Sequence, residues 1–159
     1  MVSGRKWTQS EAEVKVVTKP WGNATIDGVA GVGELWLNYK RGENVGEEEK
    51  RYVLKKLYIR KGTRTSFQCH SSKLETNHLI SGLAEAWQEN ENGEIEKVIV
   101  KPGDTWTIPC GRKHRLIALE DVIMIEASTP EVDDVTRIAD DSNRPDGRVD
   151  SEHASSSRA

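Results

Sequence analysis

At 159 residues the chain is long enough to bury one core without disulfides or a structural metal to hold it together. Its formal net charge of -3 and pI near 5.9 exclude the excess of Lys and Arg that non-specific nucleic-acid binding requires. No apolar run reaches membrane-spanning length and the N-terminus lacks the hydrophobic core of a signal peptide, so a soluble cytoplasmic protein with no nucleic-acid or membrane partner is expected.

Residues 1–18 are polar apart from an alternating stretch at 14–17, which suits an edge strand or a crossover to a partner subunit. Within 26–36, Gly28, Gly31 and Gly33 come in close order. A phosphate-cradling loop would need those glycines between a strand and the N-terminus of a helix. The alternation that follows, Glu34-Leu35-Trp36-Leu37-Asn38-Tyr39, is that of a strand, so the glycines read as a plain turn. Residues 41–51 are a charged turn facing water. From Tyr52 to Gly62 the pattern is β again, with Lys55, Leu57 and Ile59 on one face and Lys56, Tyr58 and Arg60 on the other.

After Gly82 come a strand at 83–88, a polar turn at 89–93 carrying Asn92-Gly93, and a strand at 94–100. A turn at Lys101-Pro102-Gly103, a strand at 105–108, a corner at 109–111 and strands at 114–119 and 121–128 follow. About eight to ten short strands with scarcely any helical periodicity predict an all-β sandwich or barrel. Beyond Arg137 there is almost no apolar residue, so a mobile tail is expected, with His153 inert in it.

Two stretches carry the chemistry. In 62–82, Gln68 and His70 share a strand face, and a short turn at 71–74 returns the chain to set Glu75 opposite them. An amide or imidazole pair and a carboxylate converging on one point make three ligands for a divalent metal. The second stretch, 103–114, offers His114 as the fourth. His78 is a rival ligand, but three residues past Glu75 it falls on the opposite face. Cys69 and Cys110 flank site residues; they read as ordinary reduced thiols, with no CxxC zinc motif.

Together the two stretches resemble the paired motifs of the cupin superfamily, G-x5-H-x-H-x(3 or 4)-E-x6-G and G-x5-P-x-G-x2-H-x3-N. Gly62, His70, Glu75 and Gly82 fall on the first, and Gly103, Pro109, Gly111 and His114 on the second. Gln68 stands in place of the first histidine and Ala118 in place of the final Asn. The Gln-x-His opening, the His114-Arg115-Leu116 close, the Pro20-Trp21-Gly22 segment, Ile125-Glu126 and the Asp133-Asp134-Val135-Thr136-Arg137 pattern look like the cupin domain of type II mannose-6-phosphate isomerases. Where that family has His-Trp after the glutamate, this chain has Thr76-Asn77-His78.

The resemblance implies a single-domain cupin jelly-roll barrel over 19–139, an N-terminal extension or edge strand at 1–18 and a flexible polar tail at 140–159. It further implies pairing through sheet edges into a homodimer. A divalent metal would sit on Gln68, His70, Glu75 and His114; zinc is favoured, with manganese, iron, nickel or cobalt also compatible with the mixed nitrogen and oxygen set. The implied reaction is aldose–ketose interconversion of a carbohydrate substrate such as mannose 6-phosphate, with Glu126, Lys55 or a metal-bound water as base. Lys55 matches a family lysine that contacts substrate, and Arg115, Arg137 and Arg112 are candidates for the phosphate. The alternative is a small cupin that binds a sugar or nucleotide sugar without turnover, or works as an epimerase, lyase or dioxygenase.

Overall fold

The computed structural model describes residues 14–38, 52–130 and 134–153. The charged turn expected at 41–51 and most of the N-terminal extension lie outside them, as do the last residues of the tail.

The described residues form β1 (Lys15–Thr18), β2 (Ala24–Ile26), β3 (Val29–Trp36), β4 (Val53–Ile59), β5 (Phe67–His70), β6 (Glu75–Ser81), β7 (Ala84–Glu89), β8 (Ile95–Val100), β9 (Thr105–Ile108), β10 (His114–Ala118), β11 (Val122–Ser128) and β12 (Val135–Ala139). A single turn of helix, α1 (Asp150–His153), follows. The strands make two antiparallel sheets. One is seven-stranded in the order β1-β3-β4-β11-β6-β9 with β2 on β3, and the other five-stranded in the order β12-β5-β10-β7-β8. The alternation at 14–17 is thus an edge strand, β1, paired with β3.

Period-two alternation on both sheets explains where the core lies. Leu57, Met124 and Leu79 are register partners on β4, β11 and β6, and all three are buried. From the facing sheet Ala84, Ala86, Leu116 and Ala118 pack against them. The small residues of β7 and the large ones of β6 and β11 interdigitate, as two stacked sheets require.

Close approach demands glycine at Gly82, at Gly22 and at Gly33, where a Cβ would meet the side chains of Lys19 and Trp21. A Cβ at Gly82, which sits at φ 92°, would run into the carbonyl oxygen of Asp121, so this turn between β6 and β7 accepts only glycine. At Gly22 a Cβ would strike the backbone of Gly31, which is how the Pro20-Trp21-Gly22 segment lies flat on β3. The glycines of β3 therefore serve packing. Asp27 and Gly28, both at positive φ, close the tight hairpin between β2 and β3.

The expectation of a flexible tail from 140 is corrected through His153. This segment crosses the open end of the barrel and is held there by charge. Arg144 pairs with Asp140 at 2.8 Å and with Glu152 at 3.0 Å, and Glu152 also accepts from Lys19 Nζ at 2.8 Å. The Gly147 amide donates to Val135 O at 2.9 Å, the Arg137 amide to Asp146 Oδ1 at 2.7 Å, and the Arg137 guanidinium to the carbonyls of Pro145 and Gly147. His153 stands edge-on to Trp36 with ring centroids 5.7 Å apart. A rule that counts apolar residues misses a strap built this way, because its stability comes from charge-assisted hydrogen bonds.

Replacing Arg144 by Met leaves Asp140 and Glu152 without their shared cation. Urea denaturation should show a loss of about 2 kcal/mol, and amide exchange across 140–153 should accelerate while the barrel strands keep their protection. Unchanged exchange in the strap would refute the assigned role of the network.

Candidate metal centre

His114 and Gln68 are register partners on β10 and β5, so the closing residue of the second motif is set beside the opening residue of the first. Alternation puts His70 on the same face as Gln68, and the turn at 71–74 brings Glu75 back across the barrel on β6. His70, Glu75 and His114 are all buried, with one ligand atom from each within 4.8 Å of the others. Glu75 Oε1 lies 3.6 Å from His70 Nε2 and 3.3 Å from His114 Nε2. The two imidazoles stack with centroids 5.4 Å apart.

Each imidazole is aimed by a partner behind it. His70 Nδ1 is 3.0 Å from Asp134 Oδ1, and Asp134 is itself fixed by the amides of Ser72 and Lys73, both at 2.9 Å. His114 Nδ1 is 2.9 Å from Arg112 O. With Nδ1 engaged, each ring presents Nε2 to Glu75, the arrangement that orients metal-ligating histidines.

Gln68 stands beside the three. Its Oε1 accepts a hydrogen bond from Ser66 Oγ, and its Nε2 lies 3.4 Å from His70 Nε2. The amide is thus at the edge of the cluster, and a half-turn of its terminal group would present the oxygen to a cation held there.

Around this centre lies a cavity that encloses several charges. Lys55 Nζ is 3.3 Å from Glu34 Oε1 and 3.7 Å from Glu126 Oε2, and Lys73 Nζ is 3.3 Å from the same Glu126 oxygen. With Glu75 and Lys19, which line the same cavity, three carboxylates stand against three ammonium groups. Burial alone would raise the Glu34 carboxyl, but Lys55, Lys19 and the Trp36 indole hold it at about 2. Burial likewise opposes ionisation of Glu75, yet Lys73, Glu126 and His114 keep it well below the usual carboxylate range. Glu126 moves the other way, raised by burial and by the adjacent Glu75 charge. Burial and Lys73 lower the His70 imidazole to about 4, whereas Glu75 overcomes burial at His114 and raises it.

These residues fit a divalent cation. His70 is held neutral, as ligation requires, and both Nε2 atoms and the ionised Glu75 face one point.

The other candidates separate by strand face. Lys55 and Glu126 are register partners, both buried and both lining the cavity. Arg137 lines it from β12, opposite Gln68. Arg115 lines the cavity as well, its guanidinium packed 5.8 and 5.7 Å from the rings of Phe67 and Trp87, with Nε donating to Thr65 O and Nη2 buried without a hydrogen-bond partner among the described residues. Arg112 donates to Glu89 O and lies outside the cavity. His78 points outward to Thr105 Oγ1 at 2.8 Å, which removes it as a ligand. His153, expected to be inert, lines the cavity. Lys73 is a site residue that the sequence reading assigned to a turn; the available signal was its position two residues before Glu75, on the same face in an extended chain.

No family model and no curated protein sequence matches the chain. Solved structures do. The sheets and their order, together with those matches, define a jelly-roll fold. A protein from Acidithiobacillus ferrooxidans assigned as a sugar phosphate isomerase is 19% identical with a TM-score of 0.52, over 67% of this chain and 65% of that one. Oxalate decarboxylase from Bacillus subtilis is 17% identical with a TM-score of 0.54, over 67% and 28%. CapF, with the inhibitor 3-isopropenyl-tropolone, is 15% identical with a TM-score of 0.59, over 80% and 34%. The chain spans less than two thirds of the length of each. No helix among the described residues is long and apolar enough to cross a membrane.

Because Glu34 loses its proton more readily in the folded protein than its ordinary value of 4.5, its contribution to stability is complete above that pH and is lost as pH falls toward about 2. In urea denaturation of chelator-treated protein, Glu34→Gln should flatten the fall in stability below pH 4.5. An unchanged slope would show that Lys55 does not hold Glu34 ionised.

Proposed function

We propose that His70, Glu75 and His114 hold a divalent cation and that the protein interconverts an aldose and a ketose phosphate of the mannose 6-phosphate type. The observation that carries this reading is the convergence of two imidazoles and a carboxylate, each imidazole tied back at Nδ1, on one point of a cavity wall. The motif spacings and the shared fold with a protein assigned as a sugar phosphate isomerase support it.

A bound cation would polarise the substrate carbonyl as a Lewis acid. The chain's own groups would move the proton. Glu126 is central on the cavity wall, and its raised pKa suits a carboxyl that must both take and return a proton near neutrality. As a carboxylate it removes the proton from the carbon beside the carbonyl, giving a cis-enediolate; a proton passes between the two adjacent oxygens, and Glu126, now an acid, returns its proton to the neighbouring carbon. Lys55 and Lys73, both against Glu126 Oε2, stabilise its charged form. Arg137, Arg148 and Arg115, which line the cavity, supply positive charge for the phosphate, whereas Arg112 lies outside it.

The same placement of the arginines favours a second reading, in which the ligand is a sugar bound without turnover. The guanidinium of Arg137 is taken up by the strap carbonyls of Pro145 and Gly147 and is not left to a phosphate ester.

Purified protein should carry close to one equivalent of divalent metal by elemental analysis, and Glu75→Gln should lose most of it. Mannose 6-phosphate and fructose 6-phosphate should interconvert in a chelator-sensitive manner. Glu126→Gln should retain the metal and lower kcat by roughly 10²- to 10⁴-fold. Metal retention without interconversion would leave only the binding reading.

A further inference from the structure

One row of side chains crosses the seven-stranded sheet at the level of the cavity. Trp36 pairs with Lys55, Lys55 with Glu126, Glu126 with Asn77 and Asn77 with Trp106, and all five line the cavity. Four of them have evident employment. Trp36 donates to Glu34 and lies under Lys55, Lys55 and Glu126 belong to the charge network, and Trp106 packs against the main core. Asn77 is the exception. It is 4% exposed, yet its Oδ1 accepts no hydrogen bond from any described residue and is shut off from bulk solvent. A buried amide acceptor left unpaired is costly, so such groups are retained where something else pairs with them.

We propose that Asn77 is a ligand-recognition residue whose Oδ1 accepts a hydrogen bond from a hydroxyl group of a polyhydroxylated ligand, with Trp106 as the apolar wall beside it. The donor chemistry follows from the surroundings. Lys55 and Lys73 are already paired with Glu126, the register neighbour of Asn77, so the charges beside the amide are matched and a neutral donor such as a hydroxyl is the group left for it. Spacing agrees. Glu75 and Asn77 are two residues apart on one face of β6, roughly 7 Å along the strand, a span that one sugar molecule bridges. An apolar wall with a few fixed polar groups is also the usual composition of a small-molecule site. This inference deepens the sugar reading above and rests on it for the ligand class.

The test is a titration of the protein as purified with glucose 6-phosphate and its 2-deoxy, 3-deoxy and 4-deoxy analogues, comparing wild type with Asn77→Leu. The parent sugar phosphate should bind about tenfold more weakly to the variant. One deoxy analogue should bind both proteins equally, because the hydroxyl and its acceptor are lost together. If every hydroxyl deletion weakens wild type and variant by the same factor, Asn77 recognises none of them and the proposal falls. Asn77→Ala, smaller and with no acceptor, serves the same comparison should the Leu variant fail to fold. If wild type binds no sugar phosphate, the isomerase assignment falls while Asn77 is read with xylitol, mannitol and mannose. A rise in Tm with any of them that is absent in the variant sustains the subsite, and no rise in wild type overturns it as well.

Discussion

Charge enclosed in a β-barrel has to be balanced by neighbours, because water is no longer there to solvate it. Five ionisable side chains, Glu34, Lys55, Lys73, Glu75 and Glu126, meet inside this one within a few ångströms of the two histidines. Each is tolerable only because the others are there. The unequal behaviour of the carboxyl groups follows. Glu34 and Glu75 stay ionised beside lysines and hydrogen-bond donors, and Glu126, next to the Glu75 charge, holds its proton more tightly.

The register of two sheets turns this balance into geometry. Along β6 the inward residues run Glu75, Asn77, Leu79, and along β11 Ser128, Glu126, Met124, so each step along the strands carries the wall from ligand to polar row to apolar core. The facing sheet supplies His70, His114 and Leu116 on the same side. A one-residue slip between β6 and β11 would place Thr76 or His78 in the cavity and carry Glu75 outside it. The apolar rows around Leu79 and Met124 therefore guard the register of the polar ones.

The mouth of the barrel is closed by a different physics. Residues 140–153 contribute little apolar surface, and their hold on the barrel is the chain of ion pairs from Asp140 through Arg144 and Glu152 to Lys19, with Arg137 clasping two backbone carbonyls. Such contacts weaken with salt where they are exposed and much less where they are buried. The side chains of Arg144, Asp140 and Glu152 are each less than a tenth exposed, which puts this strap nearer the buried limit. Cation and carboxylate side chains thus do at the rim what leucine and methionine do in the core.

Spacing in the sequence was enough to assign the all-β class and most of the strands. It also paired the 62–82 and 103–114 stretches as one site, because glycines at fixed intervals and period-two alternation are local properties of the chain. Alternation likewise placed Lys55 with Leu57 and turned His78 outward. Other features depended on which strands become neighbours, which no local pattern records. Arg115 packed against Phe67 and Trp87, Gln68 gave its oxygen to Ser66, and Lys73 left an apparent turn to meet Glu126. The tail was misread for a related reason: composition counts the apolar surface a segment can bury, whereas Arg144 and Glu152 are fixed by partners that only the folded chain brings within reach. Local periodicity decides which face a side chain takes; long-range pairing decides what it meets there.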